Sequence, residues 1–175
     1  MDVTGDDIAG VVDLFGALTR TELRHALAEL AFKRGEEFEP EVFADVITDA
    51  IGTYHLVPVD TAAVAQFEPA VTAETTGEQT NEPPDSVLVP GPVAFPTVPD
   101  GGMDLPHILD IDTRTVDREQ AGKSAITRLE ADLSDASNQA DTDRIAELVD
   151  ISYELEAWAS VDLSEKRAAI ESSDS

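Results

Sequence analysis

The sequence contains no cysteine. That excludes a disulfide scaffold, a cysteine-ligated zinc or iron–sulfur centre and a cysteine nucleophile. Lysine is nearly missing as well: Lys33, Lys123 and Lys166 stand beside eight arginines. Aromatic residues make up 5% of the chain, with Trp158 as its one tryptophan. No apolar run approaches the roughly 20 residues that a membrane-spanning helix needs. Residues 1–7 have neither the basic start nor the apolar stretch of a secretory leader, and no lipidation motif is present. The expectation is a soluble, cytoplasmic protein with no membrane role.

The widest gap is in positive charge. Between Arg34 and Arg114 there is no Lys or Arg. That stretch cannot hold a phosphate through a side-chain cation. It has only backbone N–H groups, histidine or a bound metal to offer.

Carboxylate is what the chain has in excess. Asp and Glu total 37 against 11 Lys and Arg, a net charge of −26 on 175 residues. Phosphates would be repelled, so non-specific nucleic-acid binding by overall charge is disfavoured. The acids are dispersed rather than gathered into blocks, and 42% of the residues are apolar, which argues against a wholly disordered chain. At low ionic strength such a charge opposes compaction. In molar salt the Debye length falls to roughly 3 Å and the repulsion largely disappears. Acid excess, scarce Lys, Arg over Lys and frequent Ala, Val and Thr together resemble proteins of a salt-adapted cytoplasm. The rival is an acidic regulatory protein of a mesophile, for which acid blocks are expected, and the dispersal of the acids favours the first.

Four segments follow from the pattern. Residues 1–60 read as a helical N-terminal unit. Thr4 with Asp7, and Thr19 with Glu22, have capping-box spacing. Ile8, Val11, Val12 and Phe15 follow at helical spacing, then Leu23, Leu27 and Leu30, then Val42, Phe43, Val46, Ile47, Ala50 and Ile51. Gly35 and Gly52 end the second and third helices, and Tyr54–Val57 reads as a short strand. Residues 61–86 read as an acidic flexible linker. Residues 87–114 are Pro-rich yet apolar. At that proline density neither a helix nor a central strand is expected, so they read as an extended strap laid over helices. Residues 115–172 read as a C-terminal helical hairpin, broken at the polar run 134–140, with a short third helix over 164–170 and a frayed tail. The fold class is mainly α.

The order of three helices and a strand resembles the core of winged-helix domains. Its recognition helix would be residues 40–51, whose polar positions Glu41, Asp45, Thr48 and Asp49 include no cation. Residues 1–60 carry a net charge of −9, and only Arg20, Arg24, Lys33 and Arg34 could face DNA. A second candidate is a metal site. His107 with Asp104, Asp110 and Asp112 supplies imidazole and carboxylate, a donor set suited to zinc, iron or manganese. The alternative is a packed histidine amid solvated carboxylates. The run Ala121-Gly122-Lys123-Ser124 looks like the end of a P-loop. The glycine required five residues earlier is Asp117, so nucleotide binding is rejected. No nucleophile elbow is present. No catalytic residue and no cofactor is assigned.

The stretches DLFGALTRTELRHALAELAFKRGEEFEPEVFADVITDAIGTYHLV and VPGPVAFPTVPDGGMDLPHILDID resemble an uncharacterised family of small acidic haloarchaeal proteins with no assigned function. The resemblance covers about half of the chain. It implies a salt-adapted archaeal cytoplasm and no particular activity. The expected function is a non-catalytic adaptor or regulatory protein whose partner is another protein or a second copy of itself. A homodimer would cover the apolar face of the hairpin if the N-terminal unit does not. The alternatives are a winged-helix-like regulator using the four cations above and a metal-dependent enzyme centred on His107.

Overall fold

Thr4 opens the first helix. Its hydroxyl accepts the Asp7 amide, and the Asp7 carboxylate accepts the Thr4 amide. In the computed structural model, which describes residues 3–65, 86–111 and 113–173, α1 spans Gly5–Phe15. Thr19 and Glu22 cap α2 (Arg20–Lys33) in the same reciprocal way. Gly35, at φ +68, turns the chain out of it. Pro40 occupies the first turn of α3 (Pro40–Gly52). The strand β1 (Leu56–Asp60) follows.

The segment after residue 85 departs from the expected extended strap at both ends. Ser86–Pro90 forms a second strand, β2, antiparallel to β1, with Leu56 opposite Pro90 and Asp60 opposite Ser86. Leu105–Leu109 forms a short helix, α4, that carries a proline in its first turn. Proline is tolerated in both places. A two-stranded sheet has only edge strands, and the first turn of a helix has no use for the missing N–H. The linker is also shorter than expected at its start. Residues 61–63 make a single 3₁₀ turn capped by the Asp60 side chain, and Val64 bridges to Val116. Residues 66–85, on which the rest of that linker falls, lie outside the described residues.

The small sheet organises the molecule. Leu56 and Leu88 point to one face, into a core built from Ile8, Val12, Phe15, Leu27, Phe43 and Ile47 of α1–α3. Val57, Val59, Val87 and Val89 point to the other face. There they meet α5 (Arg118–Asn138) and α6 (Thr142–Ala159) through Ala125, Leu129, Leu148 and Leu155. The two-residue period of a strand thus feeds two helical layers from one sheet. The apolar face of the hairpin is covered within the chain, which removes the need for a second copy there.

The polar break expected over 134–140 is shorter in the structure and falls at the end of that run. Asp117 caps α5 and the helix continues to Asn138, because Leu133 and Ala136 stay buried while the polar residues face solvent. The turn is confined to Gln139, Ala140 (φ 53) and Asp141, which caps α6. Gly122 sits inside α5, where an added Cβ would stand 2.8 Å from the Ala159 Cβ. Its role is close helix packing, in keeping with the rejected P-loop. The final helix, α7 (Ser164–Ser173), runs further than the short helix expected, and residues 174 and 175 lie outside the described residues. Glu156 anchors its start. It accepts the Leu163 amide at 2.7 Å and the Arg167 guanidinium at 2.8 Å, and these hold its carboxyl below the ordinary glutamate value.

Two polar clusters join the layers. Glu22 is fully buried and accepts both terminal nitrogens of Arg114, at 2.7 and 2.8 Å, while Arg114 Nη1 also donates to the Ala17 carbonyl. Tyr54 is buried at φ 63 and donates to Asp132 Oδ2 at 2.5 Å. Arg128 lies 4.5 Å over its ring. Burial, reinforced by Asp132, pushes the Tyr54 phenol upward, so it stays protonated and donating.

Candidate interaction surface

Residues 91–104 cross the outside of α1 and α2, held chiefly by backbone atoms. The Phe95 amide donates to Asp6 Oδ1 at 2.9 Å and the Thr97 amide to the Asp6 carbonyl at 3.1 Å. Gly10 makes the approach possible, because a Cβ there would stand 2.0 Å from the Thr97 carbonyl oxygen. Lys33 Nζ ties the far end down, at 2.9 Å from the Gly101 carbonyl and 3.1 Å from Asp104 Oδ2. Leu105 then plugs the N-terminal core.

With the backbone turned inward, large apolar side chains are left outside. Phe95 is 79% exposed and Met103 71%, with Val98 and Ile108 also exposed. Phe32, on α2 beside Lys33, is 81% exposed. Most of the exposed large apolar side chains among the described residues therefore fall between 95 and 108. Scattered single exposures are ordinary, but a concentration of this kind on one segment makes it the candidate contact surface.

The four candidate DNA contacts are not gathered into one patch. Arg20 donates from the start of α2 to Thr48 Oγ1 on α3, and Arg24 is half-buried one turn later. Lys33 and Arg34 stand at the other end, roughly 20 Å away at the helical rise. There Lys33 serves the strap and Arg34 pairs with Glu36 at 3.5 Å. The metal candidates are likewise placed apart by α4. Asp104 precedes the helix and is paired with Lys33. His107 is exposed within it, and Asp110 closes it in a left-handed conformation. Asp112 lies outside the described residues. Where an extended strap was expected, Leu105–Leu109 is a helix instead. Among the described residues no three His, Asp or Glu converge as a metal cluster.

Sequence reasoning missed a cleft on the side of the molecule where the strap begins. It has a volume of about 470 Å³ and lies where α1 ends, β2 ends and α5 begins. Val89, Pro90, Ala94, Ala121 and Trp158 give it apolar walls, and Asp13, Arg114 and Arg118 also line it. Gly16 (φ +80) lets α1 end against the Arg114 carbonyl, where a Cβ would stand only 2.0 Å away. The one available signal was Trp158, the sole tryptophan, near one end of an amphipathic helix.

A family model matches residues 6–175, nearly the whole chain. The chain belongs to DUF7109, a family of unknown function. No curated protein and no solved structure matches this DUF7109 chain. The strap surface and the cleft therefore stand on their own geometry. Among the described residues of this DUF7109 member, no helix is long and apolar enough to cross a membrane.

Proposed function

We propose that this DUF7109 protein is a non-catalytic adaptor or regulatory protein of a salt-adapted archaeal cytoplasm, and that it docks another protein on residues 95–108. The observation that carries the reading is the strap: its backbone is spent on α1 and α2, and Phe95 and Met103 are presented to solvent. Exposed, well-anchored aromatic and methionine side chains favour protein contacts, because they offer large area at small ordering cost.

The test is affinity capture from a haloarchaeal lysate in molar KCl, with the unmodified chain and a Phe95→Ser, Met103→Ser pair. The expected result is a stoichiometric protein partner on the first and a loss of about tenfold or more on the second, in the range of interface anchor residues. Equal capture by both would overturn the strap as the docking surface. Enriched DNA from discrete loci would replace the adaptor reading with a regulator.

The salt-adapted part of the proposal rests on the net charge of −26. Helix content followed by circular dichroism is expected to rise as KCl is raised to molar levels, because screening removes the self-repulsion. Identical spectra in dilute buffer and molar KCl would overturn it.

A further inference from the structure

Among the described residues, no carboxylate pairs with Arg118. In a chain of 37 acids and 11 Lys and Arg, ion pairing is the default. The other cations of the hairpin conform: Lys123 pairs with Glu119, Arg128 with Asp132, and Arg144 with Glu147. In α7, Arg167 pairs with Glu156 and Lys166 with Glu130. Arg118 instead lies 4.8 Å over the ring of Trp158, with no carboxylate of the described residues at ion-pair distance. Its sequence neighbour Asp117 is committed to the Glu119 and Gln120 amides. Stacking on indole holds a guanidinium in place and leaves its N–H edge free to donate.

That held guanidinium lines the cleft of about 470 Å³. The volume falls within the range of about 300–1,000 Å³ usual for small-molecule sites. Its walls are short and apolar at Val89, Pro90, Ala94 and Ala121, with the indole of Trp158 beside them. Arg114 also lines it, but its terminal nitrogens are engaged by buried Glu22. Asp13, exposed on α1, lines it too and disfavours a ligand with more negative charge than Arg118 can balance. The arrangement offers one free bidentate donor, an apolar floor and a bias toward a single negative charge.

We infer that this cleft binds a small organic monocarboxylate, with the carboxylate on Arg118 and the apolar body against Val89, Pro90, Ala94 and Trp158. A planar guanidinium matches a carboxylate through two parallel hydrogen bonds. The inference does not depend on the docking surface of residues 95–108, and either can fail alone.

The full-length protein in molar KCl is titrated with 4-methylpentanoate and with its neutral counterpart 4-methylpentan-1-ol. Trp158 emission and saturation-transfer NMR of the ligand are followed together. The expected result is saturable binding of the acid and at least about tenfold weaker binding of the alcohol, the scale of one charge-assisted bidentate contact. Arg118→Gln is expected to lower acid affinity by about tenfold or more and to leave that of the alcohol unchanged. Lys123→Gln, one turn along the same helix, is expected to change neither. Arg118 is exposed, so circular dichroism of Arg118→Gln is expected to match the parent. Equal binding of acid and alcohol, an unchanged affinity in Arg118→Gln, or no saturable binding by either readout would overturn the inference.

Discussion

Glu22→Ala is expected to lower folding stability by about 3–5 kcal/mol, the usual cost of removing one partner from a buried ion pair. Glu22 has no solvent exposure and the Arg114 side chain is 7% exposed, so neither charge can recover its hydration in place. The substitution also removes the acceptor for the Thr19 amide at the start of α2. Against a usual total of about 5–15 kcal/mol, the loss is a large fraction of what holds a domain together. Urea denaturation in molar KCl measures it without adding ionic denaturant. A loss below about 1 kcal/mol would place the pair among solvent-screened surface bridges. Replacing both residues with methionine is expected to recover most of the loss, because the desolvation of two charges disappears with their attraction.

Gly10→Ala is expected to release the strap. The new Cβ would stand 2.0 Å from the Thr97 carbonyl oxygen and 2.8 Å from the Thr97 nitrogen, distances that backbone atoms cannot accept. α1 cannot retreat, since Ile8, Val11, Val12 and Phe15 are fully buried around it. The strap must therefore move, and the Phe95 and Thr97 amides lose their Asp6 acceptors. Hydrogen exchange over residues 94–98 is expected to accelerate markedly, with a global cost of about 1–3 kcal/mol typical of overpacking. Gly52→Ala is the matched control, because nothing lies within 4 Å of the added Cβ. Unchanged exchange over 94–98 in Gly10→Ala would show that the strap is not held by this contact.

Local chemistry made much of the fold legible. Thr4, Thr19, Asp117 and Asp141 all cap helices where their spacing predicts, because a cap is decided within four residues. What escaped depends on partners far along the chain. Val87–Val89 look like fragments between prolines until β1 supplies the ladder. Glu22 reads as a capping glutamate, and its second role waits on Arg114, 92 residues away. Gly10 and Gly16 look like ordinary helix residues until another backbone lies against them. The candidate surface was half visible. Phe95 and Val98 marked the strap as apolar, but which atoms face inward is set by Asp6 and Lys33. The cleft was invisible because its lining comes from four separate parts of the chain.

The sheet that serves both layers also sets an order of events during synthesis. Residues 1–60 leave the ribosome with Leu56 and Val57 carrying no partner strand. At about 5–20 residues per second, roughly 1.5–6 s pass before residue 90 follows. The opposite face of the strands stays open until α5 and α6 have been made as well. Through that interval the nascent half depends on its own charge, a net −9 over residues 1–60, to keep neighbouring chains apart.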